Sequence, residues 1–516
     1  MPWPTDIHAG SVLVFFVTLG FLVRATKWRK QHPTAAPLPG PTPLPILGNV
    51  LGMNAKEPWV TYAEWGTVYG DIFITRLLGR DYVIVNSEAI ATELLDERSH
   101  NYSDRPLIAT RLPFGWDFSF VFAPYGPEWR ARRRLFHQAF RADAALEYRP
   151  MQLRRSRMLL LDLLESPQRY AMHIQRLTTS TVMSAVYDYE MASHGDPLVA
   201  VVERAIDFGV RFLTIEKSAL VETFPFLLRL PTWFPGTLKR DAKVSREYAA
   251  EMVVKPFQYV LHQMEAGTAA PSMVSNALGK LSGKCESGRA AMDIKEAAGA
   301  AFAAATETTA STLLVFVLAM VLNPRVQERA QADIDRVVRR GQDSRLPNFN
   351  DRPSLPYVDA ILRETLRWHP VAPLGVPHAA TDSDVYNGFF IPKGASIVFN
   401  TWAMSQNAVK YPNPSEFIPE RFLNDDGMLN DDTIGFGFGF GRRICPGRYT
   451  ADASLWSAMV SMLATFRFLK ASDADGNPIK FEPRFTNGLS SSPLPFPLKI
   501  VPRSSTLTGE QLSLLL

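Results

Sequence analysis

From Asp293 to Leu322 the chain reads as a single helix with no polar side, and any fold has to be built around it. Asp293 is placed to cap the first turn, Glu296 follows three residues on, and Asn323-Pro324 supplies the stop. About 30 residues at roughly 1.5 Å each give a rod on the order of 45 Å long. A helix apolar all round must be buried, in protein or in a membrane. Thr306, Glu307, Thr308, Thr309, Ser311 and Thr312 fall at its middle, where a lone carboxylate in lipid is costly, so burial in protein is expected. Threonine hydroxyls inside a helix can bond to backbone carbonyls and bend it, leaving a groove for water. A satisfied polar patch is the equal alternative.

Only a large body can bury such a rod. The 516 residues exceed the usual domain size and no internal break divides them, which favours one unusually large core. Hydrophobic residues at 46% and charged residues at 21% can supply it and exclude a disordered or collagen-like chain. A net charge of +4 over this length is too mild for a nucleic-acid binder. The cysteines are Cys285 and Cys445, so a disulfide framework is impossible, at most one bridge can form, and a reducing compartment is expected. The sequon Asn101-Tyr102-Ser103 points the other way, but chance matches of that pattern are common.

Ile7 to Val23 is almost wholly apolar over about 17 residues, enough to cross a bilayer and also compatible with a signal peptide. The flanks favour an uncleaved anchor over a cleaved signal or a buried helix: Asp6 precedes the stretch, and Arg24, Lys27, Arg29 and Lys30 follow, which keeps the carboxyl side cytosolic. Pro33, Pro37, Pro39, Pro41, Pro43 and Pro45 then forbid helix and make a stiff extended spacer. Leu44, Ile46 and Leu47 between them are expected to pack it against the body.

In that body helical patterns dominate, notably Leu159 to Leu164, Pro197 to Leu213 and Lys239 to Met264. Strands are short: Asp71 to Leu77 with Tyr82 to Asn86 around Gly79, then Ser396 to Asn400 and Pro497 to Val501. Strand and helix do not alternate and no period repeats, so a doubly wound sheet or a solenoid is excluded. The expected class is mainly α with small β-sheets.

The richest stretch is Phe438 to Gly447. Glycines at 435, 437, 439 and 441 let the backbone approach something closely, but Arg442 breaks a dinucleotide-binding Gly-x-Gly-x-x-Gly, and a planar cofactor fits better. Residues after Gly447 read as a helix through Ala451 and Leu455 to Leu463, so Cys445 lies just before a helix amino terminus, whose amides and dipole favour a thiolate. An isolated loop cysteine is ordinarily inert. Here, however, Phe438, Gly441, Arg443, Cys445 and Gly447 match Phe-x-x-Gly-x-Arg-x-Cys-x-Gly, and the chain resembles the cytochrome P450 family.

That resemblance extends over the whole chain and carries specific expectations. It implies the cytochrome P450 fold, haem b as cofactor, Cys445 as thiolate ligand to the iron, Phe438 as its shield and Arg443 as partner of a haem propionate. Trp129-Arg130-Ala131-Arg132-Arg133 resembles the family's Trp-x-x-x-Arg, which implies that Trp129 and Arg133 reach the propionates, with His378 as a further contact. Glu364-Thr365-Leu366-Arg367 resembles Glu-x-x-Arg, and Pro419-Glu420-Arg421-Phe422 its later partner, implying a Glu-Arg-Arg network that holds the fold. Ala304 to Thr309 resembles the oxygen-activation segment, implying that Thr308 organises proton delivery to dioxygen with Glu307 behind it. Ala305 stands where the family usually has glycine, and its methyl is expected to narrow the oxygen groove. Pocket walls are expected in Ile108 to Val121, Ala301 to Thr308, Val371 to Val376 and Gly488 to Ser490.

The implied function is a haem-thiolate monooxygenase that oxidises a small lipophilic substrate, such as a terpenoid or polyketide of fungal-type secondary metabolism. No flavin or nicotinamide fingerprint is visible, so electrons would come from a separate NADPH-cytochrome P450 reductase, steered by some of Arg130, Arg132 and Arg134; those bases also read as a solvated helix face. The domain reading is 1–32 as membrane anchor with its basic flank, 33–50 as hinge and 51–516 as catalytic domain. The resemblance places it in the endoplasmic reticulum membrane, facing the cytosol, with membrane lipid but no nucleic acid as partner. Rival readings are a reductase-independent peroxygenase or isomerase, and a haem carrier or sensor without enzymatic activity.

Overall fold

The structure, a computed structural model, describes residues 35–192, 195–235, 237–281, 287–338, 345–504 and 509–513, so the apolar segment Ile7 to Val23 and Cys285 lie outside the described residues. Ten helices matter for the site: α1 (Pro58–Tyr69), α2 (Pro127–Phe140), α3 (Arg149–Glu165), α4 (Tyr170–Tyr187), α5 (Pro197–Gly209), α6 (Lys239–Glu265), α7 (Ser287–Leu322), α8 (Pro324–Val338), α9 (Pro356–Trp368) and α10 (Arg448–Thr465). Five of them (α1, α2, α5, α8 and α9) open on proline, whose missing N–H costs nothing in a first turn and whose fixed φ already suits a helix.

The long helix is the axis of the molecule, and it is buried in protein as its mid-helix polar residues required. Its first half packs in an apolar cluster with α2, α5 and α6, its second half in another with α3, α8, α9 and α10. Leu313, Phe316, Val317, Leu318 and Ala319 are fully buried. It runs unbroken for 36 residues, so the threonines do not interrupt it: Thr306, Thr308 and Thr312 donate to the carbonyls of Phe302, Ala304 and Thr308 at 3.0, 2.9 and 2.9 Å. It also begins earlier than expected, at Ser287. Asp293 is no cap. It is buried and accepts from Arg132 Nε at 3.0 Å, and Glu296 pairs with the same guanidinium, so the two acids that read as a helix start fasten α7 to α2. This pairing also removes Arg132 from the exposed bases.

Among the described residues nine strands form three small sheets: β1 (Ala36–Pro37), β2 (Ile72–Leu77), β3 (Arg80–Val85), β4 (His378–Ala379), β5 (Asp384–Tyr386), β6 (Phe389–Ile391), β7 (Ser396–Phe399), β8 (Phe466–Lys470) and β9 (Leu498–Pro502), in orders β1-β6-β5, β2-β3-β7-β4 and β8-β9. The turn between β2 and β3 puts Leu78 and Gly79 at φ +48° and +83°. The proline segment does join the body, though not through the residues expected. Leu44, Ile46 and Leu47 are exposed, whereas Leu38 and Asn49 are buried and Ala36–Pro37 pairs in parallel with Phe389–Phe390. The backbone of the segment does the docking: a side chain at Gly40 would strike the Ile74 carbonyl. Asn101 is likewise buried, donating to the Asp382 carbonyl (3.0 Å) and accepting from its amide (2.7 Å), which leaves the sequon closed to a glycan.

Behind the site, Glu364 and Arg367 of α9 lie one helical turn apart and are both fully buried. Arg367 grips the carboxylate with two bonds of 2.6 and 2.7 Å and gives its remaining donors to the carbonyls of Ser405, Pro414 and Glu416. Arg421 Nε donates to the same carboxylate at 3.3 Å and the Ile418 amide donates to it at 2.7 Å, so the Glu-Arg-Arg network is formed.

Candidate active site

A cavity of ≈ 1370 Å³ lies between α7, the start of α10 and the loop that joins it to the sheet. Helix α7 presents Ala300, Ala304, Thr308 and Thr312 to it, a stripe spaced by four residues that the helical period brings to one face. Phe438, Gly439, Arg443, Cys445 and Pro446 of the glycine-rich loop line it, as do Trp129 and Arg133 of α2 and His378 of β4. Residues from position 129 to 445 therefore meet at one place. Two further chambers share walls with it: one of ≈ 840 Å³ through Arg105, Gly375 and Val376, and one of ≈ 630 Å³ through Phe136, Thr309 and Ala451.

The loop holds Cys445 by backbone. Its amide donates to the Phe438 carbonyl at 2.8 Å, closing a tight fold that brings both side chains to the cavity. Gly441, at φ +56°, makes this possible, because a Cβ there would meet the Leu95 carbonyl. Gly447 is the residue before α10, so the thiol sits at the helix amino terminus as anticipated. What exposure Cys445 has is toward the cavity, and burial pushes its thiol up, opposed by the Gly447 amide and by Arg133 and Arg448. A cation bound at the sulfur would reverse that preference. Among the described residues no three His, Cys, Asp or Glu side chains converge as metal ligands. A metal that carries its other ligands with it, as an iron porphyrin does, suits such a single thiol.

The rest of the wall is cationic. Arg105, Arg133 and Arg443 all face the cavity, and none has a carboxylate ion pair among the described residues. They are held by carbonyls: Arg105 by Val121, Val376 and Pro377 (2.9, 2.6 and 2.7 Å), Arg133 by Ile444 (2.6 Å), Arg443 by Ser103 and Ala123 (2.8 and 2.9 Å). Burial lowers all three, and Arg443 falls to about 10; Arg133 adds to the lowering of Arg105 and Arg443, which Asp104 opposes, and Arg448 adds to that of Arg133. Trp129 stacks under Arg443, 4.4 Å from ring centre to guanidinium carbon. Three desolvated cations that outnumber the Asp104 carboxylate acting on Arg105 and Arg443 are costly unless something anionic joins them, so the donor set fits a planar group that carries carboxylates. His378 is buried and neutral, pushed well below its usual range by burial and then by Arg105 and Arg443. Its Nδ1 lies 2.7 Å from the Tyr102 carbonyl, which can only accept, so Nδ1 carries the proton and Nε2 presents a lone pair.

The two mid-helix residues separate. Thr308 opens on the cavity, whereas the Glu307 carboxylate turns to another side of α7 and accepts from Ser490 Oγ. Ala305 does not line the main cavity; its methyl faces the ≈ 630 Å³ chamber with Ala301 and Thr309. The expected pocket walls are largely in place: Phe120, Val121, Val371 and Val376 line the main cavity, and Ile108, Gly488 and Leu489 the ≈ 840 Å³ chamber. Arg105 escaped sequence reasoning, since Asp104-Arg105-Pro106 carries no spacing that marks it.

Residues 38–500 match the family model described as Cytochrome P450. The cytochrome P450 monooxygenase ple1 of Rhodocybe pseudopiperita is 38% identical over 505 residues, spanning 96% of this chain and 95% of the relative. Cytochrome P450 monooxygenase claR of Ampulloclitocybe clavipes is 38% identical over 516 residues, 98% and 92% of the two chains. Tryptamine 4-monooxygenase of Psilocybe cyanescens is 34% identical over 504 residues, 96% and 98% of the two chains. The chain thus belongs to the cytochrome P450 family, whose cofactor is haem iron, and is an oxidoreductase of the monooxygenase type.

Proposed function

We propose that Cys445 is the thiolate ligand of a b-type haem and that Arg105, Arg133, Arg443 and Trp129 receive its carboxylates, with His378 at the same wall. One observation carries this reading: a thiol and three guanidiniums that make no ion pair among the described residues converge on the walls of a single cavity. Bound there, thiolate-ligated iron supplies dioxygen activation strong enough for unactivated C–H bonds. Phe438 covers the sulfur's side of the loop, and Gly441 and Gly447 keep the backbone close.

Thr308 is the residue that organises proton delivery at the reacting site. Its hydroxyl hydrogen is directed to the Ala304 carbonyl, which leaves its oxygen as an acceptor toward the cavity. Glu307, one residue away, is the acid that resupplies it. The substrate is small and lipophilic, because Phe120, Val121, Ala300, Val371 and Val376 offer no charge to bind. A terpenoid or polyketide suits such walls. A flat aromatic amine suits them too, given that one relative is named for tryptamine. In vesicles with an NADPH-dependent reductase, the protein should convert a member of a lipophilic panel that includes tryptamine. Thr308→Val should cut product per NADPH by about 10²-fold. Equal product from peroxide without reductase, or an unaffected Thr308→Val, would contradict the reading.

Electrons enter from the side of the Cys445 loop. Arg130 and Arg442 gather around Tyr125, their guanidinium carbons 5.6 and 5.5 Å from its ring, and Arg141 and Arg448 border a surface hollow beside Pro446. Exposed Arg134 lies on the same helix as Arg130. Such a basic face steers an acidic reductase, with 1–32 as endoplasmic-reticulum anchor, 33–50 as hinge and 51–516 as the cytosolic catalytic domain. Arg130→Gln with Arg134→Gln is expected to slow reductase-supported turnover about tenfold at low salt and far less at high salt. Unchanged turnover at low salt would defeat this docking surface.

A further inference from the structure

Glu307 is half-buried on a side of α7 that the main cavity does not reach, and its partner comes from 183 residues further along the chain. That partner, Ser490, stands on a hairpin whose base is firmly tied. The Thr486 amide donates to the Ser492 carbonyl (2.8 Å), the Ser492 amide to Thr486 Oγ1 (2.9 Å), and the Ser491 amide to the Val371 carbonyl (2.7 Å). Ser491 Oγ donates to the Thr486 carbonyl at 3.0 Å and so accepts from His369 Nε2 at 2.9 Å, while the His369 ring stacks on Phe485 at 3.6 Å. Gly488 at the tip has φ +135°, a conformation open to glycine and little else. The same tip, through Gly488 and Leu489, forms a wall of the ≈ 840 Å³ chamber that adjoins the reaction cavity.

A glutamate side chain has three rotatable bonds, and a carboxylate that must hand over a proton works only when it faces the right way. We propose that Ser490 is a positioning residue for Glu307, its hydroxyl fixing the carboxylate's direction from the loop that walls the substrate chamber. Proton supply then depends on that wall. A molecule pressing on Leu489 moves Ser490, and with it the acid behind Thr308. The inference rests on the reading of Glu307 and Thr308 as the proton-supplying pair.

The test uses four variants of the full-length holoenzyme: Ser490→Ala, Ser490→Thr, Glu307→Gln, and Ser490→Ala with Glu307→Gln. One readout is thermal unfolding. The other is NADPH oxidation with reductase and no added substrate, in H2O and in D2O. Ser490→Ala is expected to slow NADPH oxidation about tenfold and raise its solvent isotope effect, and Ser490→Thr, which keeps the hydroxyl, to restore both. The melting-temperature losses of Ser490→Ala, which removes the bond, and of Glu307→Gln, which weakens it from charge-assisted to neutral, should fail to add in the double variant. Additive losses, or a Ser490→Ala rate equal to wild type while Glu307→Gln is slow, would overturn the positioning role and leave the proton pair standing. A Glu307→Gln enzyme with unchanged rate and isotope effect would overturn the pair itself, and this inference with it.

Discussion

Cys445→Ser is expected to lose all NADPH-supported turnover while its unfolding free energy stays within about 1 kcal/mol of wild type. Both halves follow from how the residue is held. The loop is fixed by the Cys445 amide on the Phe438 carbonyl at 2.8 Å and by the left-handed Gly441, neither of which uses the thiol. The side chain itself meets the cavity rather than filling the core, so replacing sulfur by oxygen leaves no large void. A serine hydroxyl does not ionise near neutral pH, whereas a thiol does so readily once a cation is at hand. Turnover assayed in reductase vesicles beside thermal unfolding of the same preparation separates the two effects. Activity near wild type in the variant would remove Cys445 from the chemistry.

Arg367→Ala should cost about 3–5 kcal/mol, a large share of the roughly 5–15 kcal/mol that keeps a typical protein folded, and yield little soluble material. Both partners of the pair are fully buried, so the substitution strands the Glu364 carboxylate and three backbone carbonyls in the interior. Even in the intact protein, burial pushes the Glu364 carboxyl up against the opposing pull of Arg367. Without the guanidinium it rises further. A carboxyl whose folded pKa is raised binds more protons folded than unfolded, so its stabilising effect is present at low pH and is lost as pH rises through the folded value. The deficit of the variant, followed by denaturant unfolding, should therefore shrink as pH falls from about 8 to about 5. A deficit that is small, or that grows on acidification, would contradict the network's role.

Much of this was legible before any coordinates, wherever the signal was local. Helix α6 was read as Lys239 to Met264 and ends at Glu265, because its period is regular throughout. The hairpin of β2 and β3 was marked by Gly79 between two alternating runs. The glycine-rich loop and the helix after it could be placed because turn residues, cysteine and helix start lie within a few positions of one another. Where reading failed, a distant partner decided the outcome. Asp293 has the local look of a cap, yet its carboxylate answers to Arg132 on α2, and the helix starts at Ser287 instead. Arg132 read as one of several exposed bases for the same reason. Leu44, Ile46 and Leu47 looked like packing residues, but the close fit of the segment is made by its backbone, which hydropathy does not report. Ala305, singled out by resemblance, faces the ≈ 630 Å³ chamber rather than the main cavity, a placement set by the helical turn. The Glu307 and Ser490 pair joins two ends of the sequence that share no pattern.

The cationic wall adds an argument that motifs alone do not make. Trp129, Arg133 and Arg443 were assigned by resemblance, but Arg105 stands among them with the same lack of an ion pair among the described residues and the same desolvation. Three separate segments of the chain contribute to one anion-seeking surface in the same cavity as a thiol. Such an arrangement is unfavourable on its own and becomes favourable when a dianionic, metal-bearing plane fills the gap.

The most direct test is the absorbance of the reduced, carbon-monoxide-treated protein, recorded for wild type and for Cys445→Ser at equal haem loading. The wild-type protein should give the band of a thiolate-ligated haem, and the variant should lack that band while still binding haem through its arginines. A folded wild-type protein that takes up no haem, or a variant with the same band as wild type, would contradict the assignment of Cys445.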